Sequence, residues 1–367
     1  MKLRKARSVF MPIRCSFLVV LATSMNGILK AQVRTPEGHN NLQLYRTRPT
    51  PNPKGSNPVP EDAQQAILAL FDTYEVVGGM NTHEGNKDVD DFILNLVRNP
   101  VFPEKVNDIA VECGNSLYQP ILDRYIAGED VPLSEVRQVW RNTTQPSCGF
   151  SVLDEQLPSL VRRINQKLPP GKKLRILALD PPVDWSKIAS QEDMRPFMNR
   201  DASIYSVMEK EVFAKHRKAL MTIGVRHILH YGNGIFDQQY PNATFVITNH
   251  WGFGNDIPAS DGLNINDELE MRMASWPVPS LVTMKDTWLA DLPAAYFSPD
   301  VAYPMVDGYL YLGPRDVLVS QPVPADITLD SDYMAELQRR AKATGRPAPD
   351  LEQIVGDGVF FYDPARH

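Results

Sequence analysis

Two short apolar runs, each followed by a polar side chain, occur in the first third of the chain. Val76 and Val77 precede two glycines and then His83, and residues 109–111 lead directly into Glu112. Apolar runs of this length are consistent with parallel strands. Open α/β sheets place their ligand sites at the carboxyl ends of parallel strands. The pattern therefore predicts that His83 and Glu112 emerge at neighbouring strand ends.

The rest of the chain continues this alternation of strands and helices. Residues 88–98 have the apolar spacing of an amphipathic helix, which would connect the two strands as a right-handed crossover. Residues 174–180, 227–231 and 243–248 predict further strands, and residues 202–221 predict a long helix. We expect an α/β fold with a mainly parallel central sheet flanked by helices, with helical insertions and an irregular C-terminal extension.

The first 31 residues have the order of a secretory signal peptide. Five basic side chains precede a short apolar stretch at residues 15–25, and small residues follow near Ala31. The apolar stretch is too short for a comfortable membrane span, so we predict cleavage and no stable span in the mature chain. An uncleaved membrane anchor is the alternative. The signal predicts an exported protein, periplasmic or extracellular.

The remaining sequence divides into a linker and one domain. Residues 32–60 are rich in Pro, Asn, Thr and Arg and lack a hydrophobic period, which predicts a disordered linker. An amphipathic helix begins near residue 61, and we expect residues 61–367 to form a single α/β domain. The chain has 367 residues, of which 43% are hydrophobic, and is long enough to bury a large core.

The charge of the chain disfavours nucleic-acid binding. The formal net charge is −6, and the first 31 residues carry six basic and no acidic groups, so the mature chain would carry about −12. An acidic surface repels phosphate backbones, and no basic stripe with interleaved aromatic residues offsets it. A small molecule is the expected partner, and the oligomeric state stays open.

Two cysteines, Cys113 and Cys148, remain after removal of the signal. In an exported protein they could form a disulfide, which would tie residues 140–149 over the site. Alternatively, Cys113 is a small buried hydrophobic residue. Both alternatives stay open.

Further polar residues follow or precede the predicted elements. Asp201 is a good N-cap, and Arg200 beside it would clamp a carboxylate or stabilise an oxyanion, with a surface salt bridge as the alternative. Strand alternation puts His227 and His230 on opposite faces, so only one should reach the site. Asp180 ends its strand and would orient a histidine or cap a turn.

In their order along the chain, these motifs resemble the ChaN/Tiki-like superfamily, which includes the TraB and erythromycin-esterase branches. The family pattern runs Gly-x-Gly-Glu-x-His, Val-Glu-x-Gly-Asn, Asp-Pro-Pro-x-Asp-Trp, Arg-Asp before a long helix, and Gly-x-x-His after it. The corresponding segments are residues 78–83, 111–115, 180–185, 200–201 and 224–227. The resemblance covers nearly the whole mature chain.

The resemblance implies that His83, Glu112, Arg200 and His227 are catalytic. Similarity to the esterase branch implies that His83, assisted by Glu112, deprotonates a water molecule that attacks an ester or lactone carbonyl. Arg200 and His227 would then stabilise the oxyanion or protonate the leaving alcohol. In a version similar to the Tiki-type proteases, His83, Glu112 and His227 would hold a divalent metal ion.

The sequence departs from the family pattern at two positions. Asn81 stands where the family has its first acid, and Glu84 stands where the family has a glycine. Loss of a carboxylate removes a metal ligand or the group that tunes the histidine, so a catalytically decayed member is a further alternative. Asn81 and Glu84 are secondary site candidates, together with Asp180 and Asp184.

The haem-uptake branch of the superfamily implies binding without catalysis. A histidine or tyrosine would then be the axial ligand, and Tyr118 and Tyr231 are the candidate tyrosines. The chain has no Cys-x-x-Cys-His attachment motif. The sequence therefore leaves the cofactor open between a divalent metal and haem, and the partner between a small-molecule substrate and haem.

Overall fold

The computed structural model describes most of the chain after the predicted signal and linker. The described residues are 54–80, 87–230, 234–250, 265–292, 303–314, 317–319 and 323–346. The predicted signal peptide, the first part of the predicted linker and the end of the predicted C-terminal extension lie outside them. The last residues of the predicted linker lie inside, and Ser56 forms a bridge with Thr287.

Eight strands form one sheet in the described part of the chain. They are β1 (Glu61–Asp62), β2 (Val76–Gly78), β3 (Asp108–Asn115), β4 (Arg175–Asp180), β5 (Ala219–Thr222), β6 (Thr244–Asn249), β7 (Ser280–Thr283) and β8 (Gly308–Tyr311). Their order across the sheet is β1-β7-β8-β6-β2-β5-β3-β4. Neighbouring strands from β8 to β4 are parallel, whereas β7 is antiparallel to both β1 and β8. The predicted α/β fold with a mainly parallel sheet is confirmed.

Helices flank this sheet. The described helices are α1 (Ala63–Leu70), α2 (Lys87–Arg98), α3 (Phe102–Lys105), α4 (Gln119–Ala127), α5 (Leu133–Val136), α6 (Gln138–Arg141), α7 (Val152–Asn165), α8 (Gln191–Met194), α9 (Arg200–Glu211), α10 (Ile265–Met273), α11 (Ala325–Thr328) and α12 (Ser331–Thr344). None of these described helices has the length and apolar character that a membrane span requires.

Successive strand residues point alternately into two hydrophobic cores, one on each face of the sheet. Val77 and Ile109 belong to the core that includes residues of α2, α4 and α7. Val76 and Ala110 belong to the core that includes residues of α9. Because helices cover both faces, every residue of β2 and β3 is buried. The unbroken apolar runs of the sequence follow from this double burial.

The strands β2 and β3 are parallel, but they are not neighbours as the sequence pattern predicted. β5 lies between them, with Leu220 paired to Val77 on one side and to Ile109 on the other. The chain passes from β2 to β3 and β4 and then returns to fill the gap. This insertion depends on pairing between residues more than a hundred positions apart, which local sequence patterns do not encode.

The predicted helix at residues 202–221 was too long. α9 ends at Glu211, a turn at Phe213–Lys215 follows, and Ala219–Thr222 forms the buried strand β5. A short apolar run has no periodicity that separates a buried strand from a buried helix, which explains the error. The strand predicted at residues 227–231 was also wrong, because Val225–His227 forms a 3-10 turn.

Candidate functional site

A cluster of charged side chains lies at the carboxyl ends of β3, β4 and β5. Glu112 comes from β3, and Asp180 is the last residue of β4. His227 lies in the turn that follows β5, and Arg200 is the first residue of α9. Parallel sheets bind their ligands at this edge. The structure thus brings together Glu112, Arg200 and His227, which the resemblance grouped, with the secondary candidate Asp180.

Glu112 is the centre of the cluster. Its side chain is fully buried, and its Oε2 accepts a hydrogen bond of 2.8 Å from the backbone N–H of Gly224. Its Oε1 lies 2.9 Å from Nη2 of Arg200 and 3.2 Å from Nε2 of His227. A buried carboxylate without such partners would cost several kcal/mol. The two basic side chains and the backbone donor offset that cost and fix the carboxylate in place.

Arg200 joins Glu112 to a second buried carboxylate. Its Nε donates to Oδ1 of Asp180 at 2.9 Å, and Asp180 also accepts the N–H and the hydroxyl of Thr144 at 2.5 and 2.8 Å. Burial raises the pKa of Asp180 more than Arg200 and Thr144 lower it. For Arg200, burial lowers the pKa, because it disfavours the charged form. The charges of Glu112 and Asp180 have the larger, opposite effect, so the pKa of Arg200 is raised. Arg200 is therefore a fixed cation.

His227 lies between two carboxylates. Its Nδ1 is 2.6 Å from Oδ1 of Asp201, while its Nε2 faces Glu112. Burial lowers the pKa of His227. The hydrogen bonds to Glu112 and Asp201 and the charge of Glu112 have a larger effect in the opposite direction, so the pKa of His227 is raised. Only the imidazolium donates from both ring nitrogens at once. The geometry therefore favours a charged His227 that donates protons rather than a neutral one that accepts them.

The N-cap predicted at Asp201 was wrong. The side chain of Asn199 caps α9 by accepting the N–H of Ala202 at 3.1 Å. Asn and Asp are both good N-caps, so the sequence alone did not settle which one begins the helix. Because α9 begins one residue before Asp201, the Asp201 carboxylate is available to bind His227.

Asp184 has its partners outside the Glu112 cluster. Its Oδ1 accepts the N–H and the hydroxyl of Ser186 at 3.1 and 2.6 Å, and its Oδ2 is 3.0 Å from Nζ of Lys187. The donors from Ser186 and Lys187 lower the pKa of Asp184. This secondary candidate caps a turn in the structure.

Three predicted site residues, Asn81, His83 and Glu84, lie outside the described residues. The described chain before them ends at Met80, which forms an isolated bridge with Gly224. Gly79 has a φ of +99°, and a Cβ at this position would lie 2.6 Å from the carbonyl oxygen of Ile247. The strand exit therefore requires glycine for a close backbone approach, as the sequence indicated.

His230 takes part in a separate ion-pair network. Its Nδ1 is 3.0 Å from Asp237, and its Nε2 is 2.7 Å from Asp307. Burial opposes protonation, but the two carboxylates raise the pKa of His230 to about 9. Of the two histidines, His227 reaches the Glu112 cluster and His230 does not, as expected. The reason is a turn at Val225–His227, not the alternation of side chains along a strand.

The segment at residues 142–148 lies at the cluster, as expected if the disulfide forms, but the contact of its Thr144 with Asp180 was not predicted. A disulfide joins Cys148 to Cys113, the neighbour of Glu112 on β3. Asn115 donates to the carbonyl of Asn142 at 2.7 Å, and Nε1 of Trp185 lies 3.1 Å from the same oxygen. Asn115 and Trp185 belong to two of the quoted motifs, and their side chains hold this segment against the strand ends.

The residues predicted to bind a metal ion or haem are only partly described by the structure. Within the described residues, no group of three or more His, Cys, Asp or Glu side chains is placed to hold a metal ion. Glu112 and His227 are in contact, and the third predicted ligand, His83, lies outside those residues. The hydroxyl of Tyr118 accepts a hydrogen bond of 3.0 Å from Asn142. Tyr231 lies outside the described residues.

Comparisons with known proteins give limited similarity. No protein-family model matches the chain, and no curated protein matches it. A protein of Bacillus cereus with a crystal structure is 12% identical, with a TM-score of 0.44, over 70% of this chain and 95% of that one. The type III effector HopBA1 is 12% identical, with a TM-score of 0.35, over 60% of this chain and 95% of that one. At these scores, neither likeness bears on the function.

Proposed function

We propose that this protein is an exported hydrolase that cleaves ester or lactone bonds with a water molecule deprotonated by His83. The observation that carries the proposal is the buried carboxylate of Glu112, which holds Arg200 and His227 side by side at the carboxyl ends of the strands. Two cationic donors placed together in a partly buried site suit a reaction in which negative charge develops on oxygen.

Arg200 is suited to stabilise the oxyanion. Attack of water on an ester carbonyl moves an electron pair onto the carbonyl oxygen. Arg200 uses Nε for Asp180 and Nη2 for Glu112, and none of the described residues accepts a hydrogen bond from its Nη1. The side chain is 15% exposed, so Nη1 protons can face a substrate. One preorganised donor of this kind contributes roughly a hundredfold to a thousandfold in rate.

His227 is suited to protonate the leaving alcohol. Its raised pKa favours the imidazolium, and in the proposed step its Nε2–H turns from Glu112 to the leaving alkoxide and gives it the proton. In the proposed cycle, His83 takes one proton from the attacking water and His227 gives one to the alcohol. Glu112 does not touch the substrate in this scheme and acts by positioning both cations.

The proposal is tested with the purified mature protein and a panel of alkyl esters and lactones, whose alkoxide leaving groups need a proton, and hydrolysis is followed by acid release at constant pH. The wild type should release product, and His83→Ala, Arg200→Gln and His227→Gln should each reduce kcat by about a hundredfold or more while circular dichroism stays unchanged. His216→Asn, at an exposed histidine, is the control and should keep full activity. Unchanged rates in all three variants would remove these residues from the mechanism.

The alternatives give different results in the same preparation. Metal analysis of untagged protein, with loss of rate after dialysis against a chelator, would indicate the version in which His83, Glu112 and His227 hold a metal ion. A strong visible absorption band on addition of haem, without ester turnover, would indicate the binding function. An inactive wild type that gains turnover with Asn81→Glu would indicate a decayed site.

A further inference from the structure

A half-open cavity of about 390 Å³ lies beside the Glu112 cluster, between α8, the turn at Arg195–Phe197 and the end of α12. This volume lies within the range of small-molecule sites. The walls include two methionines, two arginines and two neutral polar residues: Met194, Met198, Arg195, Arg346, Gln191 and Thr344.

Two hydrogen bonds link the cavity lining to the candidate site. The carbonyl of Met198 accepts a hydrogen bond of 3.2 Å from the backbone N–H of Arg200. Nη1 of Arg346 donates to the carbonyl of Thr144 at 3.1 Å, and Thr144 in turn binds Asp180. One residue of the wall thus contacts Arg200 directly, and another reaches Asp180 through Thr144.

The lining combines positive charge with apolar surface. Arg195 and Arg346 contribute two cations, and Glu192, 2.7 Å from Arg195, contributes one carboxylate, which leaves one net positive charge. The whole chain is acidic, with a formal charge of −6, so this local excess is opposite in sign to the rest of the protein. Met198 is 54% exposed and offers apolar contact area, and the buried Met194 lies behind it in the wall.

The end of α12 positions Arg346 at this wall. Gly345 has a φ of +66° and ends the helix in the left-handed conformation, and a Cβ there would lie 2.1 Å from Nε2 of Gln191. The N–H of Arg346 then binds the carbonyl of Ala341 at 3.1 Å. This glycine-dependent turn directs the chain against α8 and places the guanidinium between Thr144 and Met198.

We propose that this cavity binds the carboxylate-bearing end of an amphipathic ester substrate. The carboxylate lies between Arg195 and Arg346, the aliphatic chain lies along Met194 and Met198, and the ester carbonyl reaches Arg200. This inference rests on the proposed hydrolase function and specifies its substrate class. It predicts selectivity for esters whose acyl chain ends in an anion over neutral esters of the same length.

The test separates anion binding from turnover. The first measurement is the affinity of octanoate and of octanamide for the full chain by isothermal titration calorimetry. Octanoate should bind about tenfold tighter than octanamide, since a charge-assisted hydrogen bond to arginine is worth about 1.4 kcal/mol or more. Arg195→Gln and Arg346→Gln should each remove most of this preference. Lys342→Gln, an exposed cation on α12 outside the cavity, should keep it.

The second measurement compares the 4-nitrophenyl monoester of octanedioic acid with 4-nitrophenyl octanoate. Arg195→Gln should raise KM for the anionic ester about tenfold relative to KM for the neutral ester of the same length. Arg195 contacts Glu192 in the structure and not the Thr144 segment, so its variant tests charge without disturbing Asp180.

The outcomes distinguish the two proposals. An inactive protein that binds octanoate through Arg195 and Arg346 would support the anion site and refute hydrolysis. An active protein that binds octanoate and octanamide equally, or that keeps its octanoate affinity in both variants, would overturn the anion site and leave hydrolysis standing.

Discussion

Nη2 of Arg200, the first residue of α9, lies 2.9 Å from Oε1 of Glu112 in β3, and both side chains are largely or fully buried. The same guanidinium binds Asp180 at the end of β4. One cation therefore holds the carboxylates of two adjacent strands, and removal of Arg200 would leave two buried carboxylates without their shared cation. This relationship makes the site both rigid and sensitive to substitution.

The first prediction concerns Glu112→Gln. The amide keeps the size of the side chain but removes the charge that faces Arg200 and His227. We expect a loss of about 3 kcal/mol in the free energy of unfolding, because a buried ion pair loses one partner. Urea unfolding at pH 7 measures this loss. Glu104→Gln, in the exposed pair with Lys172, is the control and should change stability by less than about 1 kcal/mol.

The second prediction concerns the protonation of His227. The pKa of His227 is raised in the folded protein, because the effects of Glu112 and Asp201 outweigh that of burial. The charged ring therefore stabilises the fold fully at pH values below the pKa of His227 in the unfolded chain, and this stabilisation is lost as the pH rises through the pKa in the folded protein. Asp201→Asn should lower the pKa of His227 and move that loss to lower pH. NMR titration of the His227 ring measures it. Asp237→Asn, beside His230, should leave the His227 titration in place.

The third prediction concerns the disulfide between Cys113 and Cys148. The bond closes a loop with a sequence separation of 35, for which loop entropy gives about 4 kcal/mol of stabilisation. The double variant Cys113→Ala, Cys148→Ala should lower the free energy of unfolding by about 2 to 4 kcal/mol. Its ester turnover should also fall, because the Thr144 segment loses its tie to β3. Denaturant unfolding and turnover measure both effects.

Dithiothreitol provides the matched control for the disulfide. It should destabilise the wild type and leave the double variant unchanged. A wild type whose unfolding midpoint is the same with and without the reductant would contradict the assigned stabilising role.

The fourth prediction concerns Asp90, a carboxyl group buried on α2. Burial, with the nearby charge of Asp91, raises the pKa of Asp90 to about 7 from 3.8. The folded state therefore keeps a proton that the unfolded state loses, so stability falls as pH rises from about 4 to about 7. Asp90→Asn should remove this dependence and stabilise the protein at pH 8 by at most about 4 kcal/mol.

The stability of wild type and Asp90→Asn is compared by urea unfolding at several pH values. Asp130→Asn, at an exposed carboxylate, should follow the wild-type pH dependence. Parallel curves for wild type and Asp90→Asn across this pH range would show that Asp90 carries no buried proton.

The strand ends of the candidate site followed from local sequence. The apolar runs before Glu112 and Asp180 are buried on both faces of the sheet, and a parallel sheet brings its carboxyl ends to one edge. Arg200 was correctly placed at the entrance of a helix. These features depend on residue type and short-range periodicity, which the sequence displays directly.

The partners within the site did not follow from local sequence. Thr144 reaches Asp180 across 36 positions, and β5 inserts between β2 and β3. Asp201 was expected to cap α9, but the helix begins one residue before it, so Asp201 binds His227 instead. Such relationships depend on how distant segments pack.

The sequence by itself determined the α/β class, the parallel character of the sheet and the residue types at its carboxyl edge. Burial on two faces imposes continuous apolar runs, and the polar residue after each run is visible without a structure. Only the tertiary structure decided the strand order, the disulfide and the bridging of Glu112 and Asp180 by Arg200. These features arise from pairings between distant segments, whose free energy depends on the packed geometry rather than on any local pattern.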